Sequence, residues 1–186
     1  MPSIPYRTTF LDGEASRVAA LVRERRGGRL LNLDRMLLYF PALAEGWGGL
    51  MLSVRKGQRI SAYHRELVIC AVAQLNDAQY EFHYHRGPLA AAGATEAQIS
   101  ALVDVSLAAE NNAVFGAVER AVLHFALEST RNVKISAPTL AAVKECFPDP
   151  EQIFELMMIA ASYNMVSRVL VGLGVEIEGT EAEPVS

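Results

Sequence analysis

Cysteine is scarce in this chain and badly placed for redox work. Its 186 residues include two, Cys70 and Cys146, set far apart in apolar helical patterns and outside any C-x-x-C pair. A dithiol redox centre or a thiolate zinc site therefore has nothing to build on, and both thiols read as buried structural residues. An excess of positive charge is missing too. With 17 Lys and Arg against 21 Asp and Glu, the formal net charge is −4, which argues against a nucleic-acid partner, since that needs a concentrated basic surface. The one basic cluster, "RERRGGR" from Arg23 to Arg29, reads as a solvated helix terminus that complements the helix dipole rather than as a binding patch. No apolar run reaches the length of a transmembrane helix, and "MPSIPYRTTFLDGEAS" lacks a basic start followed by an apolar stretch. A soluble, cytoplasmic protein with no membrane partner is expected. Convincing strand alternation is absent as well.

What is present is apolar and helical. The hydrophobic fraction of 51% and mean hydropathy of +0.18 exceed what one small domain can hide, so buried contacts between subunits are expected. Helical patterns run over Glu14 to Arg26, then through "NLDRMLLYFPALAEGWGGLMLSV", with Asp34 as N-cap and Pro41 kinking or dividing the segment. Ser61 is placed to cap "AYHRELVICAVAQL", and Asp77 to cap "AQYEFHYHRGPLAAAG", closed by Gly93. "TEAQ", Thr95 to Gln98, is a capping box opening a short helix through Val103 to Leu107. Glu119 to Glu128 and a segment from Ser136 are helical; Asp149 then caps a long final helix with Pro150 as its first residue. That last helix is apolar on most of its circumference and must be central or at an interface. No linker or repeat interrupts the chain. We therefore read one all-α domain over residues 1–186, with a core motif at about 36–107, an N-terminal helical extension over 1–35 and a disordered tail at about 178–186.

The chemistry concentrates in "LNDAQYEFHYHRGPLAAAGATEAQI". On a helix, residues four apart lie roughly 40° apart around the axis, so Glu81 and His85 share a face, while His83 falls about 160° away. His83 and Tyr84 then point outward or into an interface. A carboxylate beside an imidazole orients the ring, fixes its tautomer and raises its basicity, which suits a general acid or base. In the preceding helix Glu66 interrupts an apolar run, and a buried carboxylate needs a partner. If the two helices fold back at Asn76-Asp77, Glu66 reaches the level of His85, and Glu66, Glu81 and His85 converge. The competing reading pairs Glu66 with Arg65, Arg55 or Arg59 at the surface. The same three residues are chemically suited to a divalent metal, but three ligands without a spaced fourth make a weak metal signal. We expect no metal and no cofactor. Trp47 and Tyr63 are candidates to line a pocket for a ring-shaped substrate, with Tyr80 beside them. His64 and His124 read as structural or exposed.

The block "RELVICAVAQLNDAQYEFHYHRGPLAAAGATEAQISAL" resembles the carboxymuconolactone decarboxylase/AhpD-like superfamily. The features that carry the likeness are an apolar helix with an internal R-E-L, a polar turn, Tyr-Glu-x-x-x-His, a small-residue helix and Gly-x-Thr-x-x-x-Ile. "YNMVSRVLVGLGVEIE" is similar to the family's closing helix. The resemblance implies an all-α AhpD-like domain assembled as a homo-oligomer, trimer or hexamer. It also divides the possible chemistry. AhpD-type peroxidases carry Glu, then C-x-x-C, then His; at the two thiol positions this chain has Ala78 and Glu81, while Glu66 and His85 fall on the proton-relay positions. The resemblance therefore points to the decarboxylase branch: cofactor-independent acid–base chemistry on a small carboxylated lactone or aromatic-breakdown product. His85 would transfer the proton, Glu81 would orient it and Glu66 would complete the relay. Arg65 and Arg86 are the candidate cations for the substrate carboxylate. The runner-up is a peroxidase-related protein, and a third reading is a non-catalytic oligomer that binds a small ligand.

Overall fold

The computed structural model describes residues 1–11, 13–57 and 59–179. Among these residues there are ten helices and no strand: α1 Gly13–Arg25, α2 Asn32–Leu37, α3 Pro41–Arg55, α4 Ala62–Leu75, α5 Gln79–Ala91, α6 Glu96–Ala101, α7 Val105–Glu110, α8 Ala117–Asn132, α9 Ala137–Cys146 and α10 Pro150–Gly172. The all-α architecture expected from the sequence is present. Contacts divide the chain into two compact units, one of Met1–Ser53 with Gly172–Ser186 and the other of Val54–Val171.

Local chemistry sets most helix ends. Ser61 Oγ accepts from His64 N, Ser136 Oγ from Thr139 N, and Thr95 and Gln98 close both bonds of their capping box. Pro41 divides α2 from α3 and begins the latter, where its missing N–H costs nothing. Three expected ends differ. Leu31, not Asp34, is the N-cap of α2; Asp34 sits three residues in and its carboxylate accepts from Leu31 N at 2.9 Å while also pairing with Arg26. Asp77 has a φ of 55° and so terminates α4 rather than capping α5, whose N-cap is Ala78. Its left-handed backbone lets Ala78 N reach Ala73 O at 2.8 Å, a Schellman closure that an aspartate tolerates better than most residues. The helix expected through Val103 to Leu107 is broken in two because Asp104 caps a fresh one, α7.

In the first unit the two ends of the chain meet. Ser3 N donates to Leu173 O at 2.8 Å, Glu176 N to the Tyr6 hydroxyl at 2.9 Å, and Asn32 Nδ2 to Glu176 O at 3.0 Å. Of the tail expected to be disordered, Glu178 and Gly179 form a turn in which Glu178 accepts from Asn32 N; residues 180–186 lie outside the described residues. In the second unit α4 is the hub, packing on α5, α8 and α7. Every residue from Glu66 to Ala73 is buried. A helix that dry leaves its one carboxylate dependent on protein partners.

Helix α10 corrects one expectation: it is 23 residues long with a mean hydropathy of 1.3 over its best window, long and apolar enough by length and composition to cross a membrane. Half of that window is buried inside the fold, and its buried polar residues Asn164 and Ser167 are bonded to protein groups. Its buried half belongs to the core, whereas Phe154 and Val171 are exposed.

Candidate functional site

The turn at Asn76–Ala78 returns α5 along α4, and the fold-back brings Glu66 against His85. His85 Nδ1 lies 2.7 Å from Glu66 Oε2, and Arg65 Nε donates to the other carboxylate oxygen at 3.1 Å. Glu66 thus meets both the histidine and Arg65, but in a buried position rather than at the surface. Burial would raise the Glu66 carboxyl, but the bonds and charges from His85 and Arg65 outweigh it and hold Glu66 below the usual carboxylate range. His85 is lowered, because loss of water around the ring outweighs the help of Glu66, and the nearby Arg55 and Arg65 charges add to the fall. The resting pair is therefore an ionised Glu66 accepting from a neutral His85. That fixes the tautomer: Nδ1 carries the hydrogen and Nε2 carries the lone pair.

The lone pair faces α10. Tyr163 OH lies 3.3 Å from His85 Nε2, and the two rings meet edge to face at 5.1 Å. Arg55 Nε in turn donates to the Tyr163 oxygen at 2.8 Å, its guanidinium lying 5.7 Å from the ring centre. Burial pushes the Tyr163 phenol up, and Arg55 opposes that only in part. The phenol stays protonated and its hydrogen points at the imidazole. A directional chain results, from Arg55 Nε through Tyr163 and His85 to Glu66. Tyr163 is wholly buried, whereas the His85 side chain keeps 15% of its surface exposed, so of the two rings His85 is the one that meets solvent. At 3.3 Å the phenol contact is long for a hydrogen bond, leaving Nε2 open to a better partner.

Glu81 does not act as the orienting partner that the helical spacing suggested, for the His85 nitrogens face Glu66 and Tyr163. It lies buried at 3% exposure with Ser167 Oγ 3.0 Å from Oε2, and Ser167 Oγ is also 2.7 Å from Tyr163 O. A serine has one hydrogen to give. Its hydroxyl reaches two acceptors, Glu81 Oε2 and the Tyr163 carbonyl, and serves one at a time. Burial raises the Glu81 carboxyl to about 8, against the weaker pull of the Ser167 bond and the Arg55 charge, and so favours its neutral form.

The remaining candidates are scattered. Arg65 is tied to Glu66; Arg86 and His83 are exposed. Tyr80 is buried with its ring 5.0 Å from Tyr84, and Tyr63 packs edge-on to His64 at 5.5 Å. Trp47 is half-buried in the first unit. Among the described residues no group of three His, Cys, Asp or Glu side chains is placed to hold a metal ion. Cys70 is fully buried, and burial together with Glu66 and Glu81 pushes its thiol far up, away from the reactive thiolate.

Tyr163 escaped the sequence reading, although a phenol in a largely apolar helix has to find a polar partner. Arg55 entered that reading only as a possible partner of Glu66, and it bonds Tyr163 instead.

Comparison with known proteins bears on the family and the fold. Residues 41–128 match the carboxymuconolactone decarboxylase family. No curated protein matches the chain. Among solved structures, an uncharacterized peroxidase-related protein from Silicibacter sp. TM1040 is similar at a TM-score of 0.77 and 15% identity, covering 96% of this chain and 92% of that one. An AhpD-core, peroxidase-related protein from Ralstonia eutropha JMP134 gives a TM-score of 0.77 at 16% identity, with 96% and 93% covered. A variant of the debrominase Bmp8, in complex with 2,3,4-tribromopyrrole, gives 0.76 at 16% identity, with 96% and 95% covered. At such identities these likenesses speak for the fold alone. The match over 41–128 is to the carboxymuconolactone decarboxylase family, and the fold is similar to that of AhpD-like proteins.

Proposed function

We propose that this chain is a cofactor-independent acid–base enzyme, a lyase whose leading reaction is decarboxylation of a small carboxylated lactone or related product of aromatic breakdown. The observation that carries the reading is the directional chain with a neutral His85, pinned at Nδ1 by an ionised carboxylate and open at Nε2. His85 is the proton-transfer residue. Glu66, the role's holder in place of Glu81, orients the ring and steadies the imidazolium that forms at Nε2. Tyr163 and Arg55 position the ring from its other side.

The reaction needs no redox partner. The bond from the substrate ring to its carboxylate breaks, carbon dioxide leaves, and the electron pair left behind is delocalised as a dienolate. His85 accepts a proton from solvent at Nε2 and delivers it to the carbon, returning to its resting form. The substrate carboxylate requires a cation, and Arg55 supplies one that neither Arg65 nor Arg86 matches. Its Nε is committed to Tyr163, while its two terminal nitrogens make no hydrogen bond among the described residues and the side chain is exposed. A planar guanidinium fork suits a carboxylate. Tribromopyrrole in the similar Bmp8 structure supports a substrate of single-ring size.

The proposal includes a homo-oligomer, trimer or hexamer, in the cytoplasm. Exposed Phe40, Leu43, Leu50 and Leu52, on or beside α3, support the assembly, since such side chains in series mark contact surfaces. The competing AhpD-like peroxidase reading has the peroxidase-related neighbours in its favour. It would have to run without the thiol pair, because buried Ala78 and Glu81 occupy those positions. The deciding experiment is carbon dioxide release from lactone carboxylates, assayed beside peroxide reduction. Release that disappears in His85→Ala supports the lyase; peroxide turnover in the absence of any release sinks it.

A further inference from the structure

The basic cluster that reads as a solvated helix end in the sequence is folded into a cleft. Helix α1 ends in a Schellman closure: Gly28 N donates to Arg23 O at 2.8 Å and Gly27 N to Glu24 O at 3.3 Å, with Gly27 at φ 70° and Gly28 at φ 97°. Two successive left-handed glycines reverse the chain and carry Arg29 back towards Arg23. Helix α2 follows at once and presents Arg35. A cleft of about 280 Å³ lies between them, walled by Arg23, Arg29, Arg35, Thr8 and Phe10, with Leu30 buried beneath. Where a side chain on Gly28 would project there is open space, so the backbone is bare to whatever enters.

Three guanidiniums in one cleft repel one another, and a chain of net charge −4 has carboxylates to spare. Yet none of the three is paired with an acid among the described residues. Two other arginines of this unit are paired with acids, Arg26 with Asp34 and Arg17 with Glu45. Arg35 has only the Asn32 amide oxygen at 3.3 Å, Arg23 only the face of Phe10 at 5.4 Å, and Arg29 projects into solvent. Phe10 holds Arg23 over the cleft without neutralising it, which keeps its nitrogens available. Guanidinium groups lining one small concave space suit the oxygens of a compact polyanion.

We propose that this cleft binds a small oxyanion carrying two or more negative charges, a phosphate ester or a polycarboxylate, at a site separate from the His85 chain. The site is independent of the lyase reading and stands or falls without it.

The test is titration calorimetry on the full chain with inorganic pyrophosphate and, separately, citrate, at an ionic strength held constant with sodium chloride. Saturable binding of either anion is expected, weakened tenfold or more in Arg23→Gln and in Arg29→Gln and unchanged in Arg17→Gln. Both test residues are exposed at a helix end, so the variants fold, and an unaltered thermal midpoint without ligand checks it. Binding of pyrophosphate alone assigns the site to phosphate esters, and of citrate alone to polycarboxylates. No saturable heat with either anion, or binding equally strong in the two test variants, overturns the proposal.

Discussion

Replacing Glu66 by glutamine tests the core of the site without removing volume. In the native chain the carboxylate receives His85 Nδ1 at 2.7 Å and Arg65 Nε at 3.1 Å in a position 5% exposed. The glutamine amide keeps an oxygen for one of these donors but no charge, and its hydrogens face groups that are themselves donors. A hydrogen bond to a charged group contributes roughly 1.5–3 kcal/mol net. Most of that is lost from the imidazolium form of His85, because the neutral ring still bonds to the amide oxygen. His85, already lowered by burial, therefore titrates lower still in the variant. If His85 transfers the proton, kcat/KM falls by about ten- to a hundredfold.

The first readout needs no substrate. The chain has four histidines, and NMR titration of their ring carbons in the folded protein follows His85 beside the others, with His124, held by Glu110, as internal control. The acid stability of the fold follows the same logic. Glu66 and His85 are both lowered in the folded state, so both contributions are present above the unfolded values of ~4.3 and ~6.5 and are lost as pH falls through the folded ones. Glu66→Gln removes the carboxylate part and deepens the histidine part. An unchanged or raised His85 titration in the variant refutes the account, since the 2.7 Å contact would then have no influence on the ring.

Other perturbations follow from the same contacts. Glu81 is raised to about 8, so its contribution is complete below ~4.3 and is lost as pH rises through about 8. Between about pH 6.5 and 8.5 the denaturation midpoint of the native chain should fall, and Glu81→Gln should flatten that slope; a native midpoint that stays level contradicts a neutral Glu81. Tyr163→Phe deletes the phenol between Arg55 Nε and His85 Nε2. It should raise KM and shift the acid limb of the pH profile while leaving the chain folded, whereas a drop in stability with an unmoved pH profile marks Tyr163 as packing only. Light scattering on the native chain should return a trimer or hexamer, and Leu52→Glu, at a side chain 48% exposed, should lower the mass; a native monomer removes the assembly from the proposal. Alkylation should leave Cys70 unmodified in the folded chain, in keeping with its complete burial, and rapid labelling there would show that α4 opens.

Which of these groups the sequence reveals depends on how far apart the chain places the partners. The caps at Ser61, Thr95 and Ser136 are legible because donor and acceptor lie three residues apart and need only the local backbone. The Glu66–His85 contact spans 19 residues, yet a single turn joins its two helices, so counting from the turn is enough to bring the pair level. Tyr163 is 78 residues from His85 and reaches it through the packing of α10 against the rest of its unit, which no spacing encodes.

Glu81 is the instructive failure. The spacing argument placed it correctly on the buried side of α5 with His85, away from exposed His83. It then took the i,i+4 neighbour as the partner, whereas the imidazole turns to Glu66 and Tyr163 and the carboxyl to Ser167 on α10. Helical arithmetic identifies a face; it does not say which of the groups meeting at that face will bond. In a dry seam the choice goes to the arrangement that leaves the fewest charges and donors unmatched. One carboxylate serves the histidine and an arginine, while the second, buried, has the Ser167 hydroxyl as its bonded partner. Two ionised carboxylates around one imidazole would have left the second without a cation in contact, and that mismatch is why Glu66 is held below the usual carboxylate range and Glu81 is pushed above it.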